Sequence, residues 1–482
     1  MARAAGDCAL LDYHDYSCLD WSINSENQVM SVSQYAMKYT HINYLVLGAG
    51  ITGWSVVSYL LAQGHAVRVT DSREIPPNAD KIRAVVASED ICFGQLQWQW
   101  LQQADVVIVS PGIDSRTAEI QAAIAAGVEV IGDIELFART AQKPYIAITG
   151  SNGKSTVTTL VTELLASQNI AVRAGANIGE PALNLLADDD LDMYVLELSS
   201  FQLETCQSLS PCAAVVLNIS DDHLDRHQDF TRYQQIKLSI YNQATRRVIA
   251  RQEIFNMISA DSSFGNDVPA SGHYGVRTDD SGQEWLMYGS DKIMLVDDIP
   301  LLGVTGQLNV LAALALTEPF ITDMAAAVTT IKAFKGLPHR CEVIANENNT
   351  LWINDSKATN IGATIAALKG IDRNIILILG GVHKGGSIAD IVPIIQAKVK
   401  TAIVFGEAAD IFTHALHNQV TVKQAASLHE AVALAKQQAL AGDAVLLSPA
   451  CASFDMFANY MQRGEAFRIA VRDIYAGVNH EC

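Results

Sequence analysis

An apolar run, Tyr145-Ile-Ala-Ile148, ends in Thr149-Gly150-Ser151-Asn152-Gly153-Lys154-Ser155-Thr156, and a helical pattern follows. Val157, Leu160, Val161, Leu164 and Leu165 share one face at the 3.6-residue period of an amphipathic helix. Strand, glycine-rich turn, Lys-Ser and helix make a phosphate cradle, in which backbone N–H groups and the helix N-terminus point at the anion. Lys154 supplies a point charge for β- and γ-phosphates, and the hydroxyl of Ser155 or Thr156 can ligate Mg²⁺. The spacing is a short G-x-x-G-K-S-T, because Ile148 stands where the first glycine of G-x-x-x-x-G-K-[ST] belongs. A tight turn with a solvated lysine is the bland alternative, and strand, turn and helix all in place weigh against it.

A chain of 482 residues predicts about three domains at ~150 residues each. The composition is globular, 49% apolar and 18% charged. A net charge of −19 argues against a nucleic-acid surface, so anionic ligands must be met by local Arg, Lys and backbone N–H groups. The eight Cys form no C-x-x-C pair, which reads as reduced thiols in a cytoplasmic protein. Residues 44–64 carry no charge, yet Gly48, Gly50 and Gly53 interrupt them; they read as a buried strand–turn–helix and not as a membrane span. Residues 1–40 lack a signal-peptide pattern and a clear period and read as a flexible extension.

From residue 41 short apolar strands alternate with helical stretches in three blocks. Strands are expected at 43–48, 66–70, 105–110 and 128–131, then at 145–149, 193–198 and 213–219. The third block has them at 351–354, 374–379, 401–405 and 444–448. Such runs, bounded by Gly or Asp and spaced by helices, mean parallel sheets covered on both faces. The fold class is therefore α/β with three domains. A Rossmann-like N-terminal domain spans 41–132, a P-loop ATPase-like central domain 133–337, and a Rossmann-like C-terminal domain 338–482. The stretch 250–305, richer in Asp, Ser and Gly, reads as irregular or antiparallel structure.

In open parallel sheets ligands bind beyond the carboxyl ends of strands. In the central block those ends deliver the phosphate loop, Glu197-Leu-Ser199-Ser200, and Asn218-Ile-Ser-Asp221-Asp222-His223-Leu-Asp225-Arg226. A lysine, hydroxyls, a carboxylate and an Asp/His cluster at one mouth suit a Mg²⁺–nucleotide site with oxygen ligands. The first block opens with Gly48-Ala-Gly50-Ile-Thr52-Gly53, a G-x-G-x-x-G between strand and helix, and Asp71 closes the next strand. Alone, that fits a dinucleotide fold with Asp71 on a ribose. Ser110-Pro-Gly112-Ile forms a second anion-friendly turn. In the third block His339-Arg340, Asn354-Asp355-Ser356-Lys357-Ala-Thr359, Gly380-Gly381-Val-His-Lys384 and Ser448-Pro-Ala-Cys-Ala-Ser453 all stand at strand ends or the linker. Lys384 and Ser453 could hold a small dicarboxylate.

Taken together and in order, these clusters resemble the Mur ligase family from about Tyr44 onward, with Gly132-Asp-Ile-Glu-Leu-Phe137, Asn177-Ile-Gly-Glu-Pro-Ala182 and Gly336-Leu-Pro-His-Arg340 among them. The resemblance points to the D-glutamate-adding branch of that family, a cytoplasmic activity of peptidoglycan synthesis. It implies that ATP phosphorylates the terminal carboxylate of UDP-N-acetylmuramoyl-L-alanine, and that the amine of D-glutamate then displaces phosphate. It implies two Mg²⁺ ions, held by Ser155 or Thr156, Glu197, His223 and Lys237, with Lys237 carbamylated and Lys154, His223 and Lys237 catalytic. Asn309, Arg340 and Asp355 match nucleotide contacts. Thr52, Asp71, Ser72, Arg73, Ser110, Gly112 and Asn177 match contacts to the UDP-sugar. Lys357, Thr359, Lys384, Ser453 and Tyr460 match the D-glutamate end. The glycine-rich turn of the first block would then hold a uridine diphosphate and not a dinucleotide. Two positions depart from the family pattern: Leu308 replaces a His before Asn309, and Tyr460 replaces a Phe. A monomer without nucleic-acid partner or stable membrane insertion is expected.

Rival readings are a sibling or folylpolyglutamate-type ligase with another amino acid, a dinucleotide-dependent oxidoreductase, and a non-catalytic P-loop regulator. The oxidoreductase leaves the phosphate loop, Glu197 and the Asp/His cluster unexplained.

Overall fold

The structure is a computed structural model describing residues 43–220, 224–227, 229–254 and 257–476. The extension expected at 1–40 lies outside the described residues. Three sheets carry the fold. The first is five-stranded and parallel, in the order Ile91–Phe93, Val67–Asp71, Tyr44–Leu47, Val106–Val109, Glu129–Ile131. Its central strands are buried on both faces, which the uninterrupted apolar runs require.

The central sheet has nine strands. At its heart Tyr145–Thr149 pairs in parallel with Met193–Glu197 on one side and Ala213–Val216 on the other. Helix Lys154–Ser167 lays its apolar stripe on this sheet, and the nearly all-apolar helix Gly303–Thr317 is buried against the same core. The stretch 250–305 holds a short parallel strand, Ser262–Phe264, followed by the antiparallel strands Tyr274–Thr278, Glu284–Tyr288 and Asp291–Leu295. Tight turns at Asp279–Gly282 and Gly289 join the last three, which explains the Asp/Gly-rich composition there.

The third sheet has six strands, with Thr350–Asn354, Ala444–Leu447, Ile375–Gly380, Val399–Phe405 and Thr421–Gln424 parallel in that order and Glu342–Glu347 antiparallel at one edge. Apolar clusters cover both of its faces. Short polar strands such as Glu342–Glu347 and Thr421–Gln424 carry too few apolar residues to announce themselves in sequence.

A five-residue helix, Ser200–Glu204, joins the first two blocks. Its N-cap Ser199 forms a capping box with Gln202. Thr205 accepts from the Gly132 N–H at 3.2 Å, and a β-carbon at 132 would meet the Thr205 hydroxyl at 2.3 Å. Asp133, the next residue, is buried, takes a hydrogen bond from Gln202, and leaves Oδ1 without a partner among the described residues. Burial outweighs that bond and pushes its pKa from 3.8 up to about 6.

A folded-state pKa above the unfolded value means that stability is greatest below the unfolded pKa and is lost as pH rises through about 6. Asp133→Asn removes that loss. It is expected to stabilise the protein by about 1–2 kcal/mol at pH 8 and hardly at all near pH 4. Urea unfolding at both pH values checks this, and an equal effect at both would refute the buried-charge account.

Candidate active site

The phosphate loop adopts a backbone that only glycine accepts readily. Gly150 has φ +155° and Gly153 +86°, and a β-carbon at 153 would meet Asn309 Oδ1 at 2.7 Å. The loop is pinned from the neighbouring strand end. Asn218 Oδ1 accepts from the Asn152 N–H at 2.8 Å, and its Nδ2 donates to the Asn152 carbonyl at 3.0 Å. Ser151 Oγ donates to the Ser220 carbonyl and lies 3.0 Å from the Tyr233 hydroxyl. Lys154 folds back to donate to the Gly150 and Ser151 carbonyls at 2.8 and 3.1 Å.

Buried Lys237 reaches the same turn from below, donating to Gly150 O at 3.0 Å and approaching Thr149 Oγ1 at 3.3 Å. Its ammonium also lies over the Tyr233 ring. At the next strand end Glu197 is buried. Oε1 accepts from Asn177 Nδ2 at 2.6 Å, whereas Oε2 has no hydrogen-bond partner among the described residues. An orphaned carboxylate oxygen beside a phosphate loop fits a hard cation. Among the described residues no three His, Cys, Asp or Glu cluster as a self-sufficient metal cage, so hydroxyls and ligand oxygens would complete the shell. Asn177, matched to the UDP-sugar, thus sits against Glu197 in the central sheet. His223, with Asp221 and Asp222, lies outside the described residues.

In the first sheet Gly48 has φ +99°, and helix Ile51–Ala62 seats so closely that a β-carbon at Gly53 would lie 1.8 Å from the Gly48 carbonyl oxygen. Asp71 is buried at its strand end. Its carboxylate accepts from the Ala49 N–H at 2.7 Å and from Arg73 Nε and Nη2 at 2.9 and 2.6 Å. Burial opposes its ionisation, but these bonds prevail and hold its carboxyl below the usual range. Asp71 therefore shapes the turn, and Thr52, Ser72, Arg73, Ser110 and Gly112 gather around the same strand ends.

In the third sheet Lys357 packs its ammonium 4.0 Å from the centre of the Tyr460 ring. At 4.0 Å the ring face of Tyr460 and the ammonium make a cation–π pair. Ser453 is buried and caps the following turn through its carbonyl, while Lys384 is exposed on its glycine turn. Sequence reasoning missed Arg463. It is fully buried and donates to Ser356 Oγ and O and to the Cys451 carbonyl, tying two of these loops together. Its only sequence signal was an arginine in a helix with an otherwise apolar face.

A cavity of about 380 Å³ joins the blocks. Asn152, Gly153, Thr156, Asn309, Arg340, Asp355 and Lys357 line it. Arg340 Nη2 donates to Ser155 Oγ at 2.9 Å. Asp355, held by Ser448 Oγ at 2.8 Å and the Cys341 N–H, has its pKa pushed up to about 6 by burial. The opposite wall is apolar, built from Pro300, Leu301, Leu337, Val343 and Ile371. These were not foreseen, because isolated apolar residues in loops, or in a short polar strand as Val343 is, carry no periodic signal. A wider cavity of about 450 Å³ lies beside Glu407, Glu430 and Asp455. None of the expected site residues lines it, and its three carboxylates repel a polyphosphate.

Apolar wall on one side and phosphate loop on the other define a nucleotide-dependent α/β enzyme site. Family models for the Mur ligase MurD-like N-terminal domain, the Mur ligase middle domain and the Mur ligase glutamate ligase domain match residues 42–132, 148–317 and 339–451. The chain belongs to the Mur ligase family. It is 43% identical over 435 residues to the UDP-N-acetylmuramoylalanine--D-glutamate ligase of Acinetobacter baylyi, covering 88% of this chain and 96% of that one. To the enzyme of the same name from Pseudomonas aeruginosa it is 41% identical over 439 residues, covering 89% and 98%. In fold it is similar to a pseudomurein peptide ligase type C from Methanothermus fervidus, with TM-score 0.56 and 19% identity over 90% of this chain and all of that one. The UDP-N-acetylmuramate-alanine ligase of Thermotoga maritima gives TM-score 0.55 and 18% identity over 91% and 100%.

The Gly53 contact sets a direct test. Gly53→Ala forces the helix off the Gly48 carbonyl and is expected to cost about 3 kcal/mol or more. An unchanged midpoint in denaturant unfolding would contradict the seating described.

Proposed function

We propose that this chain joins D-glutamate to UDP-N-acetylmuramoyl-L-alanine at the expense of ATP, a step of peptidoglycan synthesis in the cytoplasm. The observation that carries it is the cavity where the phosphate loop meets Arg340, Asp355 and Lys357. It brings a nucleotide cradle to the edge of a cationic pocket suited to an amino acid. The long identity to ligases of that name supports the same reading.

Block 41–132 binds the UDP-substrate, block 133–337 binds ATP, and block 338–482 binds the amino acid; the protein works as a monomer. The base of ATP lies along the apolar wall, with Asn309 and Asp355 at its polar end. The N–H of Gly153 and those opening helix Lys154–Ser167 hold the phosphates, the N–H groups of Ser151 and Asn152 being tied to Asn218, and Lys154 exchanges its loop carbonyls for phosphate oxygens. Arg340 meets the same charge. The γ-phosphoryl group passes to the substrate carboxylate, and ADP is released from that bond. The amine of D-glutamate then attacks the acyl carbon, loses a proton, and expels inorganic phosphate. Lys357, Thr359, Lys384 and Ser453 hold its carboxylates, with Tyr460 bracing Lys357. Ser72, Arg73, Thr52 and the Ser110–Gly112 turn hold the uridine diphosphate.

Glu197 with its orphaned oxygen, Ser155, Thr156, His223 and Lys237 would hold Mg²⁺. Two bound ions would supply charge neutralisation on the phosphoryl group and the attacking carboxylate. Two ammonium groups, those of Lys154 and Lys237, point at the Gly150 carbonyl. Carbamylation of Lys237 would turn that like-charge pair into an opposite-charge pair. Among the described residues no helix is long and apolar enough to cross a membrane.

The deciding assay follows phosphate release from ATP and UDP-N-acetylmuramoyl-L-alanine with D-glutamate, L-glutamate, L-alanine or diaminopimelate. Turnover is expected with D-glutamate alone; preference for another amino acid overturns the substrate assignment.

Lys237→Ala is expected to lose at least about a hundredfold in rate and to regain part of it with acetate or formate, which replace the lost carboxylate. Small amines should give no rescue. Substantial activity in Lys237→Arg, which keeps the charge but forms no carbamate, would refute the carbamate.

A further inference from the structure

Beyond the residues that hold substrate, a charge cluster bridges the Ser110–Gly112 turn and the Glu197 strand end. Its centre is Arg226, only 12% exposed at the side chain. Arg226 Nη2 donates to the Ile113 carbonyl at 3.0 Å and to Glu204 Oε2 at 2.9 Å. Ile113 directly follows the expected diphosphate turn. Glu204 ends helix Ser200–Glu204, which begins three residues after Glu197. The neighbouring His227 bonds Ser200 at the other end of that helix at 2.9 Å, and Phe201 stacks between the two, 5.1 Å from the guanidinium and 5.4 Å from the imidazole. The segment carrying Arg226 is thus fixed along the whole helix.

The cluster stands one hydrogen bond short. Arg226 Nε lies 3.7 Å from Asp114 Oδ1, beyond hydrogen-bond reach, and has no other acceptor among the described residues. A buried guanidinium N–H without acceptor is costly. Asp114 is held from its other side by Arg116, which donates Nε and Nη2 to it at 2.9 and 2.6 Å. Arg232 adds a contact to Glu204 at 3.3 Å. Among the described residues the ion pairs of this cluster join three guanidinium groups, those of Arg116, Arg226 and Arg232, to two carboxylates, Asp114 and Glu204. Movement of Asp114 by less than an ångström toward Arg226 would complete the missing bond.

We propose that Arg226 is a positioning residue: seating of the UDP-substrate on the Ser110–Gly112 turn closes the Arg226–Asp114 gap, and helix Ser200–Glu204 passes that closure to the Glu197 carboxylate. The proposal rests on the ligase reading above and adds a residue that touches no substrate. A ligand favours the arrangement in which it gains contacts, and the closed pair is the differential contact here. The guanidinium is required because one side chain must reach a carbonyl and two carboxylates at once, which an ammonium on a flexible stem does poorly.

The test is steady-state kinetics on wild type, Arg226→Lys, Asp114→Asn and the double variant, with each substrate varied in turn. Arg226→Lys is expected to raise KM for UDP-N-acetylmuramoyl-L-alanine about tenfold and lower kcat severalfold, with KM for ATP and D-glutamate changed less than about twofold. Asp114→Asn, at a half-exposed position, should act in the same direction, and the double variant should be no worse than Arg226→Lys alone. Equal losses for all three substrates, or effects of the two substitutions that simply multiply, would overturn the coupling. If Arg226→Lys does not fold, Asp114→Asn decides alone: an unchanged KM for the UDP-substrate overturns the proposal. Inactive wild type with these three substrates would instead overturn the ligase reading itself.

Discussion

Everything at this site depends on holding four residues, 150–153, in a shape the chain does not favour. Two of them sit at positive φ, so glycine is required at both, and glycine leaves the turn entropically loose. The neighbouring strand end removes that looseness. Asn218 returns two hydrogen bonds to Asn152, as a further strand residue would, and Ser151 is tied to Ser220. Lys154 and Lys237 converge on the Gly150 carbonyl from opposite sides. The loop is therefore ordered by its surroundings before any anion arrives, and so is the helix N-terminus that follows it, which is the preorganisation electrostatic catalysis requires.

The same strand ends carry order outward. Glu197 closes the strand beside the loop, and Thr149 Oγ1 donates to Leu198 O at 2.7 Å, locking the two ends in register. From there helix Ser200–Glu204 meets the Gly132–Asp133 junction through Thr205 and Gln202, and the first sheet through Glu204 and Arg226. A five-residue helix has little stability of its own. It is defined by its capping box and these polar contacts, so it responds to what they touch.

Legibility in the sequence followed the strength of local signals. Buried parallel strands were readable because both faces are apolar: Tyr145–Thr149, Met193–Glu197 and Ile375–Gly380 all lie within a residue or so of the expected runs. Val172–Ala176, with Arg173 and Gly175 inside it, was not, because its exposed residues break the pattern. The glycines of 48–53 and 150–153 announced their turns, since a tight approach leaves no other choice of residue. Asp71 also bonds the Ala49 N–H and the Arg73 guanidinium, a pairing that spacing alone cannot reveal. The apolar wall of the cavity and buried Arg463 depend on contacts between residues far apart in sequence, and no local period encodes these.

A chain of net charge −19 that takes up nucleotide, UDP-sugar and glutamate must keep some positive charge uncompensated. Its arginines divide by the partners they keep. Arg139 is bound to both Glu129 and Glu135 and serves shape, whereas Arg73, half exposed, shares its charge with buried Asp71. Arg340 instead donates to a serine hydroxyl, and Arg463 to carbonyls and a hydroxyl. Arg340 lines the cavity and keeps its charge toward an incoming anion, while fully buried Arg463 uses its donors to hold loops together. Burial lowers the Arg463 pKa to about 10, and the charges of Asp455 and Asp355 offset this only in part. An arginine tolerates that shift and stays cationic at neutral pH, where a buried lysine is far more easily discharged. Uncompensated arginine is thus the residue by which an acidic protein can hold a standing positive field at the mouth where three anions meet.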